Sequence, residues 1–566
     1  MKTNSHAASA MSDLTIPARI LIGVTGHRHL AHEHLLTRQV HRVLELIKGI
    51  ITPLQHTPVV FSTLSPLAEG ADSLVSRAVL DKPGSRLEAV LPMAKNEYLQ
   101  DFEAPGAADE FERLLSQAYR VKQLTFSESR GEAYIQAGRY VVEHCDVLIA
   151  LWDGNSDPNS CGTSETVRYA REKGVPLFWI NTQSPETITF EQGKTSVTLE
   201  GTDEQVNNTW KQFLARREKK LLRRTTKITP FHLLDQYNAE AVAPQTIEHG
   251  VQSQVSHLLS QAEKSHFSAA VVRSVCDVLL PHFVRADHLA IHYQRLYQRY
   301  GSLLFTLSAA AVTTVAFQGN YIPKWPKVIV LEMLLMIAIL TITWLTGSGR
   351  WHQKWIDYRF LAERLRSAIF MSIAHIDLVT IPTSRPLSSS YLSTDWMVAA
   401  FSAVASTLPR LPEPKAAEFA GLKKFLISAW LQDQINFHER ASKRHYWRNR
   451  RMEIAGTACF VVTFFAALLY VLQIGPFLFL CTVAFIINAF PSFGATLGAI
   501  RTHRELLKNS KRSEEMVRQL YELKEQLRSA ENLSIFFHVV REAEQTILRE
   551  TDDWHIVVKF RDLEFT

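Results

Sequence analysis

Cysteine is scarce in this chain of 566 residues. There are five (Cys145, Cys161, Cys276, Cys459 and Cys481), an odd and scattered set with no Cys-x-x-Cys. That excludes a disulfide-stapled secreted scaffold and fits a reduced compartment. A strong surplus of one charge is also missing: 62 basic residues against 56 acidic ones leave a formal net charge of +6. No zinc-finger spacing, RNA-binding aromatic motif or arginine-rich tract accompanies it, so no direct nucleic-acid binding is expected. Residues 1–19 lack an apolar core followed by a cleavage site, so no signal peptide is visible and the N-terminal part is expected in the cytoplasm. A Walker-type lysine and a Ser/His/Asp order are absent as well. The early histidines (His27, His29, His32, His34, His41) have no paired carboxylate or cysteine arrangement, so no metal is expected there.

Mean hydropathy is −0.05, too low for a plain multispan transporter and ordinary for a soluble head with a modest membrane part. Apolar runs of spanning length lie only in the second half, at 303–317, 328–345, 454–472 and 477–500. Tyr321, Trp325, Trp344 and Trp351 sit where interfacial aromatic anchors belong. Arg295, Arg299, Arg350, Lys354 and Arg359 flank the first pair of spans. Arg444, Arg448, Arg450, Arg451, Arg501 and Arg504 flank the second, and the connecting turns carry only Lys324 and Lys327. This bias predicts two hairpins, four spans and both termini in the cytoplasm. Each half has an aromatic- and arginine-rich helix, a two-span hairpin and a basic amphipathic helix, so the halves read as weak repeats. In the spans, Glu332 near one membrane edge reads as snorkelling, Pro491 predicts a kink, and the small residues of 494–498 predict close helix packing.

The head, residues 17–181, alternates apolar runs with helical periodicity. Strands are predicted at 20–24, 59–64, 87–91, 147–152 and 175–180, and helices at 35–51, 71–79, 133–144 and 165–173. This order implies an α/β Rossmann-like, doubly wound parallel sheet covered on both faces, with ligands bound beyond the carboxyl ends of the strands. The second half implies an all-α membrane region of four transmembrane helices in two hairpins. Between them, 182–300 reads as an insertion and helical connector, with 182–208 a loop and 210–224 a basic helix. The rest divides into the first hairpin and its cytoplasmic helix (301–376), a soluble helical interlude (377–445) with a Ser/Pro-rich start at 381–390, and the second hairpin (446–566). A long polar helix is predicted from 502 to 549 and a strand at 555–560. Met516, Leu520, Leu523, Leu527 and Ala530 follow a four–three spacing that predicts a coiled-coil seam, intramolecular or between subunits.

Three glycine-bearing turns follow strands. Gly23-x-x-Gly26-His27-Arg28, with Thr25 between the glycines, lets backbone N–H groups approach a phosphate, or simply meets the needs of a strand–helix turn. Glu69, Gly70 and Asp72 open the second helix. Asp72 reads as a helix cap or a ribose contact, and Glu69 as the better ligand candidate. Trp152-Asp153-Gly154 leads to Gly162, Thr163 and Glu165, where an anion site and a plain Thr163 N-cap are both open readings. Three such turns at successive strand ends favour a nucleotide-type pocket.

Gly-Val-Thr-Gly-His-Arg (23–28), Leu-Ala-Glu-Gly-Ala-Asp (67–72), Asp-Val-Leu-Ile-Ala-Leu-Trp-Asp-Gly (146–154) and Gly-Thr-Ser-Glu (162–165) resemble the SLOG superfamily, which includes lonely-guy phosphoribohydrolases and the DNA-processing protein A Rossmann domain. The membrane halves resemble SLATT two-span effectors through the run Trp355–Arg366. The resemblance implies a sensor of a nucleotide- or NAD-derived second messenger that damages the bacterial inner membrane in anti-phage defence, acting as a homo-oligomer on the lipid bilayer. One departure stands out. Where lonely-guy enzymes carry Gly-Gly-x-Gly-Thr-x-x-Glu, this chain has Asn159-Ser160-Cys161, with Glu165 one residue early. Binding is therefore the first expectation. A membrane-tethered nucleotide or NAD N-glycosidase, with Glu165 and either Arg139 or Arg28 as the acting pair, is the alternative, and an anchored scaffold is the third.

Overall fold

The computed structural model describes residues 14–51, 54–124, 129–155, 162–222, 230–323, 325, 327–376, 395–409, 411 and 418–559. Asn159, Ser160, Cys161, Arg223, Arg224, Lys324, the 381–390 segment and Phe560 lie outside them. The chain divides into two compact units, residues 1–241 with 379–410, and residues 242–378 with 411–566.

The first unit is built on an eight-stranded sheet in the order β4-β3-β2-β1-β5-β6-β7-β8. Its strands are β1 (Ala18–Gly26), β2 (Val59–Ser65), β3 (Arg86–Leu91), β4 (Arg120–Gln123), β5 (Val147–Trp152), β6 (Leu177–Asn181), β7 (Ile188–Gln192) and β8 (Thr195–Leu199). The first six run parallel, and β7 and β8 fold back as an antiparallel hairpin. All six residues of β5 are buried, and its side chains alternate between two cores. Val147, Ile149 and Leu151 face the layer of α1 (Glu33–Ile51) and α2 (Ala71–Leu80). Leu148, Ala150 and Trp152 face α5 (Arg130–His144) and α6 (Thr163–Lys173), which follow two short helices, α3 (Lys95–Tyr98) and α4 (Ala107–Gln117). Each fully buried large apolar side chain contributes roughly 1.5–3 kcal/mol, so a strand apolar throughout is at home only in the middle of such a sheet.

The loop expected at 182–208 is instead the β7–β8 hairpin, closed by Gly193–Lys194 with Gly193 at φ 58°. It is followed by α7 (Asp203–Leu222), whose Trp210 stacks with Phe213, meets Phe190 edge-on at 5.1 Å and donates Nε1–H to the Leu46 carbonyl at 3.0 Å. Burial of Ile188, Phe190, Leu199 and Trp210 overrides the polar composition around them. Two further helices complete this unit. Buried Tyr237 of α8 (Pro230–Ala239) packs on buried Trp396 in the helix Asp395–Ala405, their rings 5.5 Å apart.

The second unit is helical. Continuing the numbering in chain order, α9 is Pro244–Lys264, α10 Ala269–Tyr321, α11 Val328–Ser348 and α12 Trp351–Ile373; Asp395–Ala405 is α13 and Phe419–Leu426 is α14. A five-residue π-turn, Ile427–Leu431, joins α14 to α15 (Gln432–Val471), and α16 (Phe477–His503), α17 (Leu506–Ser529) and α18 (Leu533–Lys559) follow. Among the described residues, four helices are long and apolar enough to cross a membrane: α10, α11, the continuous run Phe419–Val471, and α16. Their apolar side chains face outward, with Leu340 and Trp344 69% exposed and Phe477 82% exposed. A belt of that kind is stable against lipid and not against water. Each hairpin ends in a non-glycine residue with left-handed backbone, Arg350 and Glu505, both at φ 48°. These breaks turn the chain into α12 and α17.

Two expectations fail here. The polar helix predicted from 502 to 549 is two helices, broken at Glu505 and again after Ala530, which is extended. The strand predicted from residue 555 is the end of α18. The buried positions Phe536, Val539, Val540, Ala543 and Ile547 set a helical period that runs on into the β-prone residues beyond it. The helix α16 continues through Pro491. The four–three seam is intramolecular: Met516, Leu520, Leu523 and Leu527 are buried as α17 packs on α15.

Candidate functional site

Strand order reverses between β1 and β5, so the crevice beyond their carboxyl ends is the switch point of the sheet. Two side chains meet across it. His27 follows β1 and Asp153 follows β5. His27 Nε2 donates to Asp153 Oδ1 at 3.0 Å, with the Asp153 backbone nitrogen 3.2 Å from the same ring nitrogen. Desolvation works against the Asp153 carboxylate. Hydrogen bonds from Asn155 N (3.0 Å) and Nδ2 (2.8 Å), and from His27, nevertheless hold its pKa below the ordinary value. Trp152 Nε1–H donates to the Asn155 carbonyl at 3.2 Å, which fixes this turn from the inside.

A second cluster surrounds Arg28. Its guanidinium donates to the Asp101 carbonyl at 3.0 Å and lies over the Tyr134 ring, 5.2 Å from its centroid. The Asp101 carboxylate accepts from both Tyr134 and Arg130. Asp101, Arg130 and Tyr134 were not legible as site residues, because Asp101 sits in a single 3-10 turn with no motif around it. Glu69 is 7% exposed, and its Oε2 accepts from the backbone N–H groups of Glu103 (3.2 Å) and Ala104 (3.1 Å). Its Oε1 is buried and has no hydrogen-bond partner among the described residues. Asp72 is buried at the second position of α2 and accepts from Ala68 N at 3.2 Å, so it closes the preceding turn and does not cap the helix, whose N-cap is Gly70. Burial pushes Asp72 up to about 7 against the pull of the Ala68 N–H and the Arg28 charge.

The contacts at the first glycines match the packing needs of strand–helix turns, one of the two readings the motif leaves open. Gly23 lies inside β1, where a side chain would meet Cys145 Sγ at 2.7 Å, so it serves strand–helix packing. A side chain on Gly26 would meet Ala71 Cβ at 2.4 Å and the Leu151 carbonyl at 2.6 Å. Gly70, at φ 82°, would place a Cβ 2.1 Å from the Arg28 carbonyl, and Ala71 N donates to the His27 carbonyl at 3.0 Å. The first two glycine turns therefore interlock with each other, as a strand–helix turn requires. Thr25, the last side chain before Gly26, is buried.

The third turn is different. Gly162 is the N-cap of α6 and Thr163 its first residue, which corrects the reading of Thr163 as the cap. Among the described residues, a side chain on Gly162 would meet nothing within 4 Å and none caps the helix. Glu165 in the first turn pairs with Arg168 and with Arg139, at 3.2 Å from the latter. The Arg168 hydrogen bond, with further help from Arg139, holds the Glu165 pKa low. The carboxylate is thus ionised and pinned, unsuited to donating a proton. The helix α6 packs over β1 and β5, so its positively polarised N-terminus belongs to the switch-point edge.

In the helical unit, the stretch Trp355–Arg366 is a clamp. Arg359 pairs with Asp287 of α10 at 2.7 Å, buried Glu363 is held by Arg359 and Arg366, and Arg366 reaches Gln434 of α15 at 3.2 Å. In the spans, Tyr321 donates to Thr482 Oγ1 at 3.0 Å and Thr496 to the Phe305 carbonyl at 3.3 Å. A side chain on Gly456 of α15 would lie 3.5 Å from the Gly494 carbonyl of α16, the close backbone approach expected of small residues in a membrane pair. Residues 427–554, from the π-turn through both spans of the second hairpin and into α18, match the family model described as SMODS and SLOG-associating 2TM effector domain 1. No curated protein matches the chain. The matched two-span domain and the four membrane-length helices mark a membrane protein with an effector-type domain.

Proposed function

We propose that this chain is a ligand-gated membrane effector of anti-phage defence. Its SLOG-like α/β head binds a phosphorylated, nucleotide- or NAD-derived second messenger, and the helical unit then permeabilises or perturbs the bacterial inner membrane. The observation that carries the reading is the β1/β5 switch point, where His27 and Asp153 meet and towards which α6 turns its N-terminus, in a chain whose other unit has, among the described residues, four membrane-length helices. Backbone N–H groups of α6 with Gly162 and Thr163 would hold a phosphate. Glu69 Oε1, buried and unpartnered among the described residues, would accept from a sugar hydroxyl. His27, Arg28, Asp72, Trp152 and Asp153 would frame the base or the second phosphate. Glu165 would position Arg139 and leave bond cleavage aside. The test is dye release from liposomes carrying the full-length protein, exposed to fractionated nucleotide extracts of infected cells. Ligand-dependent release that His27→Ala eliminates supports the reading. Release that ignores every fraction, with no small molecule co-purifying by mass spectrometry, refutes it.

A further inference from the structure

In the helical unit, α10, α12, α15 and α17 converge on a cleft of about 820 Å³, within the roughly 300–1,000 Å³ span of small-molecule sites. It lies where the four apolar stretches end at their basic side. Six arginines line it (Arg295, Arg359, Arg366, Arg444, Arg504 and Arg512) against two glutamates. Three of the six are already engaged: Arg359 and Arg366 by Glu363, and Arg504 by Ser302 Oγ at 2.9 Å. Among the described residues no hydrogen bond or ion pair engages Arg295, Arg444 or Arg512, which come from three different helices.

The remaining lining points the same way. His445 Nδ1 is buried and has no hydrogen-bond partner among the described residues, and Tyr297 and Trp355 form an aromatic wall with ring centroids 5.8 Å apart. Burial first, then the charges of Arg444 and Arg448, press the His445 pKa down, the direction expected where positive charge is crowded. Arg295, Arg444 and Arg512 bring guanidinium groups from three helices to this one cleft, the first two exposed and the third half-buried. Their planar forks match phosphate oxygens two at a time.

We propose that this cleft is a binding site for a multiply charged, phosphate-bearing anion, separate from the switch-point edge of the head. The occupant is either a free polyphosphate compound or the headgroup of an anionic lipid. Bound there, it would tie together helices from both hairpins.

The experiment uses the full-length protein in nanodiscs of phosphatidylcholine alone, titrated calorimetrically with inorganic tripolyphosphate, and again in nanodiscs containing cardiolipin. The variant is Arg295→Gln/Arg444→Gln/Arg512→Gln. The control, Arg299→Gln/Arg450→Gln/Arg451→Gln, removes equal charge from the same membrane end outside the cleft. Tripolyphosphate binding that weakens about tenfold or more per cleft arginine, and stays near wild type in the control, establishes a site for a free anion. Binding absent in phosphatidylcholine, with cardiolipin slowing hydrogen exchange at 434–445 and 502–513 in wild type and not in the cleft variant, establishes the lipid headgroup. The exchange measurement on wild type also stands without any variant, should the triple fold poorly. Equal weakening in cleft and control variants, or no binding and no protection in either lipid, overturns the proposal.

Discussion

Asp72 is the residue whose energetics are most exposed to test. Its carboxyl group is pushed up on folding to about 7 from an ordinary 3.8. A group shifted this way leaves stability untouched below its unfolded pKa and lowers it progressively as pH climbs toward the folded one. The full effect, present above about pH 7, is on the order of 4 kcal/mol. Asp72→Asn keeps an oxygen for the Ala68 N–H and removes the buried charge. It is expected to leave Tm near pH 4 little changed and to raise it at pH 8, and a variant that tracks wild type across that range would show the charge to be compensated in the fold. Gly70 and Gly162 form a second contrast. Gly70→Val strains a φ of 82° and drives a methyl group into the Arg28 carbonyl, so a loss of at least about 2 kcal/mol is expected. Gly162→Val, at φ −178° and with nothing within 4 Å of a Cβ among the described residues, is expected to denature like wild type while losing ligand-triggered dye release. The motif showed that glycine was required at Gly23, Gly26 and Gly70. Whether backbone, a helix or a ligand fills the vacated space depends on residues up to about 125 positions away, and no local pattern carries that.

At the scale of elements, long periodic stretches were legible and short or broken ones were not. The strand β5 and its neighbours read clearly because burial on both faces demands an unbroken apolar run. The β7–β8 hairpin did carry a signal, Ile188 and Phe190 alternating toward a Gly193 turn and Val197 and Leu199 beyond it, but each strand is five residues long and set among polar neighbours. The break at Glu505 had no signal, since neither glycine nor proline marks it. The four–three seam was legible as a seam and left open as to its partner. With Leu520 and Leu527 fully buried within the chain, Leu520→Lys/Leu527→Lys buries two unpaired charges. Each is expected to cost several kcal/mol, so the double variant should lose helicity by circular dichroism and elute as aggregate. A folded double variant would mean that α17 is free to leave α15.

For the whole molecule, the sequence separated an α/β part from a helical membrane part because the two use different periods and different apolar run lengths. It did not reveal that the helix Asp395–Ala405 packs with the α/β unit, since 377–394 offers no period to follow. The arginine bias predicts that both termini face the cytoplasm. Reporter fusions at Pro323 and Gly475 are expected on the far side of the membrane, and one at Asn532 on the cytoplasmic side; a cytoplasmic signal at Gly475 would remove the second hairpin.

The lengths of two helices have a mechanical consequence. The helix α10 and the continuous run Phe419–Val471 each span 53 residues, rods of about 80 Å at the usual rise. Each carries its one irregularity near the end remote from the membrane: Pro281, the thirteenth residue of α10, and the π-turn over residues nine to thirteen of the other. A rod stiff along most of its length and compliant near one end is a lever with a fulcrum. A tilt of about 5° there sweeps the far tip, about 60 Å away, through roughly 5 Å, close to one helical turn of displacement at the hairpin end.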